Sequence, residues 1–353
     1  MYVRNLAEYG DALILFAHHL VVDGVSWRIL IEDLNQAYHQ EIAGKPVSLP
    51  TKTSSYRQWT INLEKLANSP EIEQDIPFWK ETITTPIIAL PLDEQASPKS
   101  NTVESLAIET CQLSSTETLE LLKSATANYH ANVQEILLVA LLETITNWTE
   151  SDNLLIDLEG HGRENIVDEL DLSRTVGWFT SLYPVLLQKP RNHNLENLFK
   201  QVKTQLRAIP HHGISFGLLR YLNQHQTFIN GNRADISFNY LGQLDNQQNN
   251  NNKLLNLSNI PVGSSMFPQQ KRPHILAINA RIQNEQLIID WSYSENLHNA
   301  QTIHHLAQNY RNHLHNYLGK TITNTANFYT ASDFNLVNLE ESELDSILAD
   351  LEN

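Results

Sequence analysis

The stretch Leu13-Ile14-Leu15-Phe16-Ala17-His18-His19-Leu20-Val21-Val22-Asp23-Gly24-Val25-Ser26-Trp27 concentrates apolar, ionisable and turn-forming residues within fifteen positions. Ala12 to Ala17 is continuously apolar and of strand length, which predicts a fully buried strand rather than a half-exposed one. Val25 and Ser26 then open a helix, with Trp27, Leu30, Ile31, Leu34 and Tyr38 on one face and Gly44-Lys45-Pro46 as its stop. Histidine has an unperturbed pKa of about 6.5, so an imidazole fixed between a strand and a helix suits proton transfer near neutrality. Asp23 is placed to orient a ring or an arginine, and Gly24 to permit a turn that other residues resist. Two hydrogen-bonded histidines in an ordinary turn would leave the same trace, so the downstream chain has to decide.

With 353 residues, the chain exceeds one ordinary domain, and its 41% hydrophobic content is enough for real cores. The 24 Lys+Arg against 40 Asp+Glu give a net charge of −16, which opposes binding to phosphate backbones, so no nucleic-acid partner is expected. The lone Cys111 excludes an internal disulfide framework and a cysteine-based metal cluster. No apolar run reaches the roughly 18 residues of a membrane span, and the start lacks the form of a signal peptide. A cytoplasmic, membrane-free protein is the expectation.

Tyr56, Trp59, Leu63 and Leu66 form a helical stripe, and Phe78 and Trp79 belong to a second piece after Pro77. Pro86, Pro91 and Pro98 mark 84–101 as the boundary between lobes. Val103 to Leu113 alternates as a strand, Ser115 caps a following helix, and Val133 to Trp148 is apolar around most of its circumference, hence a central buried helix. Leu154 to Leu158 is a short strand that delivers Glu159-Gly160-His161-Gly162-Arg163-Glu164. Tyr183 to Leu187 and Ile236 to Leu241 read as strands, Leu195 to Ile209 as an amphipathic helix, 275–293 as a hairpin, and Ala300 to Leu318 as a closing helix. Asn246 to Asn252 is a polar loop. Strands interspersed with helices give an α/β class with layered sheets. The division expected is 1–95, 96–330 and an acidic tail over 331–353.

His18-His19-Leu20-Val21-Val22-Asp23-Gly24, Glu159-Gly160-His161-Gly162-Arg163-Glu164, Thr175-Val176-Gly177-Trp178-Phe179-Thr180 and Phe238-Asn239-Tyr240-Leu241-Gly242-Gln243 occur in one order. As a set they resemble the epimerization domains of nonribosomal peptide synthetases, within the condensation-domain superfamily. The histidine motif alone is shared with condensation domains, whereas the 159–164 and 238–243 stretches resemble the epimerization branch. The resemblance implies a chloramphenicol-acetyltransferase-like two-lobe fold with its active site in a tunnel between the lobes. A peptidyl carrier protein would be the partner, bringing its thioester substrate on a phosphopantetheine arm, with no cofactor bound directly and no metal. Only seventeen residues precede the histidine motif here, so an incomplete N-terminal lobe is expected. Ser215 and Phe216 stand where Gly and Tyr are more usual in the family.

By that resemblance His19 and Glu159 are the two catalytic acid–base groups that α-carbon epimerization needs, one on each side of the carbon. Tyr240 and Asn239 map to substrate or enolate contact, although neighbouring strand residues point to opposite faces. His18, Asp23, Gly24, Trp27, Arg163 and Trp178 are read as structural at the site. His161 is expected to make a local turn hydrogen bond, and Arg163 and Glu164 to pair with each other. His211-His212 and His304-His305 lack the accompanying ligands of a metal site. The apolar stripe Leu339, Leu344, Ile347, Leu348 and Leu351 in the acidic tail reads as a docking helix for the next synthetase protein downstream. Peptide-bond condensation and an inactive fragment retaining only docking are the alternative readings.

Overall fold

The computed structural model describes residues 1–4, 6, 10–93, 101–167, 169–192, 194–229, 231–243, 263, 266–318, 328–334, 343–344 and 346–347. A two-residue ladder, β1 (Tyr2–Val3) against β2 (Ala12–Leu13), opens the chain. The buried strand expected over 12–17 is not found: β2 stops at Leu13, and Leu15 and Phe16 are 46% and 73% exposed. A continuous apolar strand is buried only when both of its faces are covered, and the exposed side chains of Leu13, Leu15 and Phe16 lack that cover. Next comes α1 (Gly24–Ile42), whose buried positions are Ser26, Ile29 and Asn35. Its expected apolar face is only half-buried, and Tyr38 is exposed.

A capping box between Ser55 and Gln58 starts α2 (Tyr56–Leu66). The short α3 (Pro70–Glu73) and α4 (Ile76–Thr84) follow, each with a proline in its first turn, where a missing N–H costs nothing. Trp59 and Trp79 are buried, as aromatic stripes usually are. Of the boundary expected over 84–101, residues 94–100 lie outside the described residues, as does the 246–252 loop.

Beyond it, β3 (Leu106–Gln112) leads to α5 (Ser115–Glu120), a π-helical turn over Leu121–Ala125, and α6 (Thr126–Tyr129). Ser114, not Ser115, caps α5, because its hydroxyl reaches the Glu117 N–H three residues on. Asn132 and Glu135 form the capping box of α7 (Val133–Thr149), which is buried along almost its whole length. The remaining elements are β4 (Asn153–Gly160), β5 (Ser181–Gln188), α8 (Leu195–Arg207), α9 (Ile214–Gly217), α10 (Gln226–Ile229), β6 (Ile236–Gln243), β7 (Leu276–Gln283), β8 (Gln286–Ser294) and α11 (Ala300–Leu318). Asn284 and Glu285, with φ of 51° and 62°, make the two-residue turn that joins β7 to β8.

Six strands form one mixed sheet in the order β3-β8-β7-β6-β4-β5. The β4/β6 and β6/β7 pairs are parallel and the others antiparallel. Leu158 of β4 pairs in register with Phe238 of β6, and both are fully buried in the core with α7 and α11 residues. The alternate residues Asp157, Glu159, Ser237 and Asn239 therefore share the opposite, polar face.

The folded body runs past the boundary expected at residue 330. Lys203 is fully buried, and its Nζ donates to the Phe328 carbonyl at 2.9 Å and to Asp333 Oδ2 at 2.8 Å. Arg207 binds Asp333 from the other side at 2.6 Å and also holds Glu135. A buried ammonium demands such a partner, so Asp333 belongs to the core rather than to a solvated tail. Most of the expected docking helix, including Leu339, Leu348 and Leu351, lies outside the described residues.

Candidate active site

Glu159 stands near the end of β4 on the polar sheet face. Asn239, brought beside it by the β4/β6 register, donates from Nδ2 to Glu159 Oε2 at 2.6 Å. The side chain is reachable by solvent, yet the crowding around its carboxyl desolvates it and pushes its pKa above the ordinary glutamate value. His19, then His274, then the Asn239 hydrogen bond act in the opposite direction and draw it part of the way back. Tyr240 does not join this group. It packs against the apolar core on the same side as Phe238, where burial pushes its phenol up. Of the expected substrate-contact pair, the sheet thus turns Asn239 toward the carboxylate and Tyr240 away from it.

His19 opens a three-residue 3₁₀ turn, His19–Val21, and is exposed. His18 caps this turn, its Nδ1 accepting the Leu20 N–H at 3.1 Å. The His19 ring leans on Trp178, with ring centroids 5.6 Å apart. Trp178 is held in turn by its carbonyl, which accepts the Tyr56 hydroxyl at 2.7 Å. Trp27 lies half-buried on α1.

Behind the histidine turn, Asp23 and Arg163 form a buried clasp. Asp23 caps α1 by accepting the Ser26 N–H at 2.7 Å, accepts the Phe179 N–H at 3.1 Å, and receives Arg163 Nη2 on both oxygens at 3.0 and 3.1 Å. Arg163 also donates to the carbonyls of Leu172 and Thr175 at 3.1 and 2.7 Å and lies 3.9 Å over the Phe179 ring. Burial alone would raise the Asp23 pKa. The Ser26 hydrogen bonds, the Phe179 N–H and the Arg163 charge outweigh it and leave the group below the ordinary aspartate value. Asp23 thus orients an arginine, one of the two options its spacing allowed.

Two expectations are corrected here. Arg163 and Glu164 do not pair with each other: Arg163 turns inward to Asp23, while Glu164 meets His161 Nε2 at 3.3 Å. His161 makes the local bond expected of it, accepting the Arg163 N–H at 3.0 Å. Gly24 has ordinary helical geometry with open space where a Cβ would stand, so no turn requires glycine there. The requirement falls on Gly162 instead, at φ 65°, where a Cβ would stand 1.7 Å from the Phe179 carbonyl oxygen.

Other candidates resolve into packing. Ser215 accepts the Trp79 indole N–H at 2.9 Å, and Phe216 packs on Trp79 in the core, so neither lines the site. His211 bridges Asp75 and Glu71 at 2.7 and 3.0 Å, and His304 pairs with Glu109 at 2.8 Å. Among the described residues no group of three or more His, Cys, Asp or Glu side chains could hold a metal ion. Among them, too, no helix is long and apolar enough to cross a membrane. The sequence reading missed Ser26, whose hydroxyl ties Gly177 to Arg163, and the pair His274–Asp157 on the polar sheet face. Asp157 left a signal, an aspartate inside an apolar strand, but His274 sits in an aperiodic turn and left none.

A family model of the condensation domain matches residues 1–339. Tyrocidine synthase 2 of Brevibacillus parabrevis is 37% identical over 345 residues, 96% of this chain and 10% of its own. Gramicidin S synthase 1 of Brevibacillus brevis is 35% identical over 96% of this chain and 32% of its own. The chain thus spans only a small part of the length of the curated relatives it matches. Among solved structures, the epimerization domain from the third module of tyrocidine synthetase B is 37% identical, with a TM-score of 0.80 over 88% of this chain and 69% of that one. The first condensation domain of the CDA synthetase, at 15% identity and TM-score 0.60 over 88% of this chain and 64% of that one, shares the fold. The architecture is therefore the chloramphenicol-acetyltransferase-like α/β fold of these domains.

Proposed function

The chain belongs to the condensation-domain family, and from that premise we propose that it epimerizes the α-carbon of an aminoacyl or peptidyl thioester held on the phosphopantetheine arm of a peptidyl carrier protein. The supporting observation is the carboxyl of Glu159, raised by its surroundings, fixed by Asn239 and electrostatically coupled to His19 from a separate part of the chain. A thioester lowers the acidity barrier at its α-carbon by delocalising the resulting charge onto the carbonyl oxygen. One of the two groups removes the α-proton, leaving an enolate, and the other returns a proton to the opposite face. The substrate is isomerised with no net change in protons, and the site resets by exchange with water. A carboxyl lifted above its ordinary value is better matched to this exchange near neutrality.

The His19 ring, tilted against Trp178, is exposed and so open to a substrate. Asp23 and Arg163 act through the loop and do not meet the substrate. Incubation with a carrier-bound L-aminoacyl thioester in heavy water tests the reading: deuterium enters the α-position and the D-form accumulates. No exchange above that of a His19→Ala control overturns it. Condensation, the reaction in the family's name, has no evident use for a second acid–base group at Glu159. Dipeptide formed from donor and acceptor carriers would favour it instead.

A further inference from the structure

Glu159 is one member of a polar row that crosses the sheet. The pairing of Leu158 with Phe238 sets Glu159 beside Asn239; Asn239 pairs with Asn279 of β7, Asn279 with Asp290 of β8, and Asp290 with Thr110 of β3. In-register partners turn their side chains to one face, here the face away from the core, since Ile278 and Ala280 on either side of Asn279 are buried. Asn239 donates to Glu159 at 2.6 Å, and Asp290 accepts both the Thr110 hydroxyl at 2.7 Å and Arg281. Asn279 stands half-buried between these bonded groups, and among the described residues its amide has no hydrogen-bond partner. The same holds for the Ser237 hydroxyl, two residues before Asn239 on β6. Ala277 pairs with Ser237 and brings only a methyl group to the fourth corner of this square. Asparagine is a poor strand former, and a half-buried amide without a partner adds nothing to folding, so the sheet itself gives no reason for Asn279.

We propose that Asn279 and Ser237 form a subsite that hydrogen-bonds a secondary amide of the carrier-bound substrate while the α-carbon lies at Glu159. This rests on the epimerase reading above. β7 lies two strand spacings from β4, about 10 Å, so the subsite sits beside the reacting carbon rather than on it. The flanking carboxylates, Asp157 and Asp290, are engaged by His274 and Arg281, so the groups left for a ligand are neutral. A side-chain amide offers an N–H donor and a carbonyl acceptor, and a hydroxyl offers both in one atom, which together match the C=O and N–H of a secondary amide. The proposed substrate carries such amides on both sides of its thioester, in the peptide bond of a peptidyl group and in the phosphopantetheine arm.

The test reads binding apart from chemistry. A carrier protein is loaded with alanine or N-acetylalanine through an inert amide in place of the thioester, and its affinity for the full chain, native, Asn279→Ala or Ser237→Ala, is measured by fluorescence anisotropy. The matching thioesters give KM and kcat for α-proton exchange. Each substitution weakens binding by about 3- to 10-fold, the worth of one hydrogen bond, and raises KM by a similar factor with kcat retained. A merely structural role would lower the urea midpoint and leave the affinity in place. A larger loss with the acetylated probe locates the amide in the peptide, and equal losses locate it in the arm. Ser237→Ala carries the test if Asn279→Ala fails to fold. Native affinity for both probes in the folded variants, or no affinity of the native chain for either probe, overturns the proposal. Weakened binding by the variants of a chain that exchanges no α-proton upholds the subsite and removes the epimerase reading.

Discussion

The two acid–base groups of the site sit in regions built on different principles. Glu159 belongs to a six-stranded sheet, with β5 on one side, β6 on the other and Leu158 beside it locked against Phe238 in the core. His19 belongs to an exposed three-residue turn that follows a two-residue strand. A side chain on a central strand inherits its position from the ladder. One on a loop needs polar side chains to replace the missing backbone bonds, and here Asp23, Ser26 and Arg163 take that part. The sheet side rests on its backbone ladder, whereas the loop side depends on a buried ion pair.

The largest effects should come from the reacting groups themselves. His19→Ala and Glu159→Gln are each expected to lower α-proton exchange by about 10²- to 10⁴-fold, with urea unfolding little changed because both side chains are exposed. Full activity in either variant would remove that half of the site. Next in size are Asp23→Ala and Arg163→Ala, each expected to cost about 3–5 kcal/mol in denaturant unfolding, because each strands a buried charge. The double variant should cost well under their sum, which would locate the penalty in the orphaned partner. A strictly additive double variant would break the contrast between clasp and ladder. Gly162→Ala should follow at about 1–3 kcal/mol or more, since the new Cβ meets the Phe179 backbone at a positive φ.

The smallest effect distinguishes the two sides by sign. The Glu159 pKa is raised in the folded chain, so more protons are bound folded than unfolded just above the ordinary glutamate range. Its contribution to stability therefore falls as pH rises through that window. The Asp23 pKa is lowered, so its contribution is present above the unfolded aspartate value and is lost as pH falls through the folded one. Thermal unfolding against pH should show a shallow slope of the first kind that disappears in Glu159→Gln, and one of the second kind that disappears when Asp23 is replaced.

Much of this was legible from the residues alone. Hydrophobic patterning located α7, β4, the β7/β8 hairpin and α11, because these elements pack against one another and their sequences carry the record of it. Alternation also implied that Asn239 and Tyr240 diverge. The apolar run 12–17 misled, since burial is a property of what covers a strand and not of the strand itself. The Asp23–Arg163 clasp joins residues 140 apart. Spacing showed that Asp23 could orient an arginine, but nothing local singled out Arg163, which was instead expected to meet its neighbour Glu164. His274 was hidden for a similar reason: its meaning lies in register across three strands, which a linear pattern does not display.

The burial of Lys203 has a consequence for how the chain can be shortened. Its ammonium sits in the core with the Phe328 carbonyl and Asp333 as partners, so residues 328–333 act as a plug that the interior cannot spare. A protease nibbling from the C-terminal side should slow abruptly once it reaches Asp333. Removing that residue would strip the buried ammonium of its carboxylate and leave it the Phe328 carbonyl alone, and the molecule would open rather than shrink.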